Sequence, residues 1–240
     1  MVPSIVRSEL ETWRIEPAVA ALLLAFPFAG AAALAALADT ALFRFLIRED
    51  SVLEWLQVVG YATAVIFGSL LALRLWRGGR KALAGAYALF VLGCFFVTGE
   101  ELSWGERLFG LEAPPSLAEI NRRGEINVHN VPAVTSAFKF VLAAVALYGS
   151  AVAAAVRLVR RPTEVVELLW PPLFLTACFL ALLAYNCLRL AVDPSGFFDP
   201  EPRLVLVGLG EWVELCLAFG LGGFAALGWR RLRLAGRAVS

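Results

Sequence analysis

The chain has 240 residues, 60% of them hydrophobic and 17% charged, with a mean hydropathy of +0.76. Soluble domains carry about 25% charged residues, so this composition argues against an ordinary soluble fold. A formal net charge of +1 provides no general basic field for nucleic acid, and no nucleic-acid partner is expected.

The apolar residues fall in long blocks between short charged clusters, which is the pattern of membrane spans. Residues 1–16 are polar, with three glutamates and two arginines. The block after them is too long for a signal h-region, so it is read as a first span and not as a cleavable signal. Span 1 is expected over 17–38, Ala/Leu-rich, with a kink at Pro27. A loop at 39–51 leads to span 2 at 52–76. The run Arg77-Gly78-Gly79-Arg80-Lys81 reads as a tight turn before span 3 at 82–99. One long polar segment follows, 100–131. Span 4 covers 132–156, and a basic turn covers 157–163. Span 5 covers 165–192, and a turn with three prolines covers 193–202. Span 6 covers 203–229 and ends in a basic tail. The expected architecture is all-α: one polytopic membrane domain over 1–240. It is a six-transmembrane-helix bundle with a re-entrant or interfacial outer segment between spans 3 and 4.

Cys94, Cys178, Cys187 and Cys216 are single and lie inside apolar blocks, with no CxxC pair. They read as small buried hydrophobes, not a disulfide framework or zinc knuckle.

Orientation follows from Lys and Arg. The side holding the N-terminus, the 2–3 turn, the 4–5 turn and the tail carries thirteen of the 21, and the other side six. Both termini are therefore expected in the cytoplasm, and an odd number of spans would break this alternation, which supports six. Acids run the other way: only Glu9, Glu11, Glu16, Glu164 and Glu167 of 20 fall on the basic side. Orientation rules do not demand an acidic outer face, because acids contribute little to them.

Ionisable groups at bilayer depth are costly and mark candidate sites. Glu211 lies roughly 10 Å and Glu214 roughly 15 Å along span 6. Three residues apart, they share a face that continues through Ala218, Gly222 and Ala225. Small residues there let a neighbouring helix approach, so the carboxylates are expected to point into the bundle. Glu54, Gln57 and Tyr61 share a face of span 2. Span 5 adds Tyr185, Asn186 and Arg189, span 4 adds Lys139, and span 3 ends in Glu100-Glu101. Span 1 adds nothing polar and reads as scaffold. Trp55, Trp104 and Trp212 read most simply as interfacial belt residues.

The outer segment opens Gly99-Glu100-Glu101-Leu102-Ser103-Trp104-Gly105-Glu106-Arg107 and closes Asn127-Val128-His129-Asn130, with the chain's one histidine. A helix continuing past Glu100 places Glu100, Ser103 or Trp104, and Arg107 on one face. Ser116 to Glu119 is a capping-box pattern for a short helix.

Taken together, Glu-Asp-Ser-x-x-Glu opening span 2, Gly-Glu-Glu-Leu-Ser-Trp-Gly-Glu-Arg after span 3 and Asn-x-His-Asn before span 4 resemble a known family. It is an uncharacterised family of bacterial integral membrane proteins with a GEExSWGxR…NxHN signature. The likeness runs from span 2 to the acidic pair of span 6. It implies a bacterial inner-membrane location and points to the site, but implies no reaction. The family more often has Gln where this chain has Glu106, so no catalytic role for Glu106 is carried over.

Four readings of the cluster stay open. The first is a metal-dependent enzyme acting on a lipid-like substrate. It has Glu100, Glu101, Arg107, Glu211 and Glu214 as catalytic candidates, and His129, Glu101 and Glu214 as ligands of a divalent ion such as Mn²⁺, Fe²⁺ or Zn²⁺. Trp104, Asn127 and Arg189 are its cofactor or head-group candidates. The second is proton-coupled transport through buried carboxylates. The third is a binding or assembly role, with membrane lipids or partner subunits as ligands and His129 as a possible tetrapyrrole ligand. The fourth is a structural salt-bridge cluster, strained by two glutamates three residues apart.

Overall fold

A computed structural model describes residues 2–38, 40–48, 51–159, 163–192 and 204–237. The expected turn at 193–202, the first residue of span 6, residues 160–162 of the basic turn and acids Asp39, Glu49 and Asp50 lie outside the described residues. Six helices are long and apolar enough to cross a membrane, and the described residues contain no strand. The protein is an all-α, multi-pass membrane protein. Leu22, Leu89, Leu92, Phe95, Phe140 and Val141 are all more than half exposed, as an apolar surface facing lipid requires.

Helix α1 (Val2–Trp13) precedes span 1, α2 (Pro17–Ala36). A short helix, α3 (Ala41–Ile47), occupies the expected loop. Thr40 caps it by accepting from the Phe43 amide at 3.0 Å, and Phe43 is fully buried. Span 2 is α4 (Val52–Arg77), whose first turn is capped by Ser51. Span 3 is α5 (Lys81–Glu101). Past a 3-10 turn at Ser103–Gly105, the outer segment holds two one-turn α-helices, α6 (Glu106–Phe109) and α7 (Pro115–Ala118). Span 4 is α8 (Pro132–Leu147), a π-helical turn Tyr148–Val152, and α9 (Ala153–Val159). Span 5 is α10 (Glu164–Leu169), a break, and α11 (Thr176–Val192). Span 6 is α12 (Leu204–Arg237), and the basic tail continues the helix because Leu232 is buried with Leu71, Leu75 and Leu168.

Span 6 is the axis of the bundle and packs along span 2. The crossing follows the small residues of the Glu211 face. A Cβ on Gly222 would sit 2.6 Å from the Gly60 carbonyl oxygen, and one on Gly60 would sit 2.8 Å from the Ala218 Cβ. Such backbone approach is how helices associate where lipid removes the hydrophobic drive. Gly222→Ala is therefore expected to destabilise by about 1–3 kcal/mol, since the obstructing atom is backbone. Thermal unfolding in mild detergent checks this, with Gly85→Ala, where a Cβ meets nothing within 4 Å, as the neutral control.

Span 1 is scaffold, but one residue read as belt is an anchor. Trp212 packs on Phe26 with ring centroids 5.0 Å apart, donates to the Pro27 carbonyl at 2.8 Å and covers Gly30. Pro27 lies inside one continuous helix.

The inner end holds an ion network. Pro171 and Pro172 interrupt span 5, and proline supplies no N–H to continue the helical ladder. The Arg157 guanidinium donates to the freed carbonyls of Trp170 and Pro171, to Glu9 at 2.8 Å and to Glu167 at 3.3 Å. Arg231 also pairs with Glu167 at 2.8 Å, and Glu9 accepts from the Leu173 amide at 2.8 Å. This network ties α1, span 4, span 5 and span 6 together.

Candidate functional site

Where a continuing helix was expected, α5 stops at Glu101 and the chain turns left-handed. Ser103, Trp104 and Gly105 have φ of 45°, 51° and 95°. Glycine tolerates this; serine and tryptophan do so only under strong constraint. The common face of Glu100, Trp104 and Arg107 is therefore not formed by helix geometry. The constraint is the Glu100 carboxylate, which is 1% exposed. Its Oε1 accepts from the Trp104 indole N–H at 2.6 Å. Its Oε2 accepts from the Val128 and His129 amides, each at 2.8 Å, and lies 3.3 Å from His129 Nδ1. Glu100 thus latches the far end of the outer segment back onto span 3.

The rest of the segment is bonded to itself. Asn127 donates to Ser103 Oγ at 3.2 Å and to Glu125 at 2.5 Å, and Asn121 donates to the Asn127 carbonyl at 2.6 Å. Glu106 accepts from the Ile126 amide at 2.7 Å. Asn121 and Glu125 were not singled out from sequence, and Ser103 was placed only on a helix face; their roles need a turn that residue types do not announce. The capping box is corrected too: Ser116 lies inside α7, which starts at Pro115 with no side-chain cap. The side chain of Arg107 lies outside the described residues.

A second group sits beside this latch, between the outer ends of spans 2, 4, 5 and 6. Gln57 is wholly buried and donates to the Glu211 carbonyl at 3.0 Å and to Glu211 Oε2 at 3.2 Å. Glu214 lies within electrostatic reach of Glu211, Lys139, Arg123 and Glu54. Glu211 is likewise in reach of Glu54, Arg123 and His129. Arg189 is buried beside Tyr185, which donates to the Leu206 carbonyl at 2.7 Å, and it lies in reach of Lys139. Arg123 of the outer segment comes within 4.0 Å of Glu54. Glu101, on a different face from Glu100, is in reach of Tyr61.

The structure therefore divides the candidates in two. Glu100, Trp104, Asn127 and His129 form the latch. Glu211, Glu214 and Arg189 join Glu54, Gln57, Lys139 and Arg123 in a mixed-charge cluster, and His129 stands between the two. A ligand set of His129, Glu101 and Glu214 is not formed: among the described residues no group of three or more His, Cys, Asp or Glu side chains is placed to hold a metal ion. Glu100, the nearest carboxylate to His129, already uses both oxygens on protein donors.

Gln57 Oε1 is buried and has no hydrogen-bond partner among the described residues. Its amide nitrogen is committed to two oxygens, so the free atom is an acceptor awaiting a donor. Three carboxylates and three cations around it suit a ligand that carries both an anionic group and hydrogen-bond donors. In comparisons with known proteins, no family model, no curated protein and no solved structure matches this chain.

Proposed function

We propose that the chain is a multi-pass protein of a bacterial inner membrane, termini cytoplasmic, that binds a phospholipid-like amphiphile at its outer mixed-charge cluster and moves a proton at the head group. The observation that carries this reading is the pairing of Glu211 and Glu214 on one bundle-facing side of span 6, opposite Glu54, Gln57 and Lys139. Two carboxylates three residues apart repel unless they share a proton or a cation, which is the arrangement general acid–base chemistry uses. Lys139, Arg189 and Arg123 offer charge to a phosphate, and Gln57 Oε1 offers an acceptor to a hydroxyl or ammonium. The thirteen-to-six bias of Lys and Arg supports the cytoplasmic placement of both ends.

The test is native mass spectrometry of the full chain released from mild detergent. Wild type is expected to keep about one phospholipid per chain. Lys139→Met is expected to lower that occupancy about tenfold, the loss of one charge-assisted contact. Glu214→Gln is expected to keep the lipid but stop any head-group conversion seen in phospholipid vesicles. Equal occupancy in wild type and Lys139→Met sinks the reading.

A further inference from the structure

Span 3 packs along span 2, and span 4 packs along span 5, leaving the two sides of a gap between spans 3 and 4 without a helix to fill it. The gap is a groove of about 760 Å³, within the size range of small-molecule pockets. Its walls are apolar, with Phe90, Gly93 and Val97 on one side and Val141 and Val145 on the other, over a floor that includes Phe179.

The two ends of the groove differ. At the inner end Tyr87 donates to the Leu168 carbonyl at 2.7 Å and Tyr148 to the Leu169 carbonyl at 2.8 Å, so both hydroxyls are tied to the start of span 5. Span 4 makes its π-helical turn there, with Gly149 letting Phe179 lie close. At the outer end stand Tyr61, in reach of Glu101 and Glu214, and Phe138, stacked on His129 with ring centroids 5.9 Å apart. Tyr61 and Phe138 thus bring one end of the groove next to the mixed-charge cluster, while the other end is lined by the two tied tyrosines and the start of span 5.

Resting on the reading of that cluster as a head-group site, we infer that the groove holds one hydrocarbon chain of the bound lipid, which enters sideways from the bilayer between spans 3 and 4. An inserted partner helix fits less well, because it must cross the whole bilayer and here meets the tyrosine-tied inner end. From Phe138 to Tyr148 is ten residues of helix, about 15 Å. An extended alkyl chain advances about 1.25 Å per carbon, so the groove takes about twelve carbons before the tail must bend out into lipid.

Gly93 provides the test. A Cβ there meets nothing within 4 Å, so a large side chain fills the groove without displacing protein atoms. Gly85 is equally open but does not line the groove. The full chain is placed in phospholipid vesicles containing a trace of phosphatidylethanolamine with a diazirine midway along one acyl chain. Irradiation is followed by peptide mapping of the label. Wild type is expected to carry label on residues 93–97 and 141–145 about tenfold above the outward faces of spans 1 and 2, and Gly93→Phe to lose that excess while Gly85→Phe keeps it. Thermal unfolding confirms that both variants are folded. Even labelling over all apolar faces, or groove labelling unchanged in Gly93→Phe, overturns the inference. The head-group reading fails separately. Groove label that is lost in Gly93→Phe but equal for a matching diacylglycerol probe, and equal in Lys139→Met, leaves a chain site without a head-group site. Lipid retained through Lys139 with no groove label leaves the reverse.

Discussion

Glu100→Ala is expected to release the outer segment from span 3 and to lower stability by about 2–4 kcal/mol. The carboxylate is buried and receives the Trp104 indole, the Val128 and His129 amides and the His129 ring edge. Orphaning a buried donor costs about 1–3 kcal/mol. Trp104 is 42% exposed and recovers a bond from water, so the larger part of the loss falls on the two amides. Glu100→Gln keeps one acceptor oxygen but turns an N–H toward the existing donors, and its expected cost is smaller, about 1–2 kcal/mol. Denaturation in detergent gives the magnitude. Limited proteolysis gives the location: cleavage within 102–131 should rise sharply while the spans stay protected. A fall in global stability with that segment still protected would rule out the latch. The strained turn at Ser103 and Trp104 is tied to the same carboxylate, so the variant should also relax it.

Arg157→Ala is expected to cost about 3–5 kcal/mol, the usual penalty for removing one partner of a buried ion network. Glu9 and Glu167 lose their shared counter-charge, and the carbonyls of Trp170 and Pro171 lose their donors. Arg231 remains with Glu167, so Glu9 is the more exposed to the loss. Burial already raises the Glu9 carboxyl above its usual range even with Arg157 beside it. The folded state then binds that proton more tightly than the unfolded chain does. Its contribution to stability is therefore greatest below the ordinary carboxylate range and falls as pH rises through the raised value. Without Arg157 the rise is larger, so the variant's deficit should be smaller near about pH 5 than near about pH 8. Thermal unfolding across that range checks it, and a deficit independent of pH sinks the account of Glu9. Arg157→Lys should recover only part of the loss, because an ammonium cannot reach the four acceptors that the planar guanidinium spans.

The two networks differ in how visible they were in the sequence. The outer one announced itself: glutamates and a lysine at bilayer depth are costly, so their presence alone marked spans 2 to 6. The inner one did not. Glu9, Arg157 and Glu167 lie near expected span ends, where charge is ordinary. Only the break at Pro171 and Pro172, read together with the distant Glu9, explains why Arg157 is buried. Trp212 is a related case. A tryptophan near a span end suits the interface, and nothing local reveals that Pro27 and Gly30 of another helix await it.

The sequence by itself determined the six spans, the all-α class, the basic bias of one side and the bundle-facing direction of Glu211 and Glu214. Each of these follows from hydropathy and helical spacing, which are local and periodic. The tertiary structure decided what depends on contacts far apart in the chain. It stops the helix at Glu101 in a left-handed turn, because Glu100 is held by amides 28 and 29 residues onward. It divides the candidate residues into a latch and a mixed-charge cluster, because adjacent positions on a helix point about 100° apart. It opens the groove between spans 3 and 4, because each packs on a different partner, and no pattern within either helix records which neighbour it lacks.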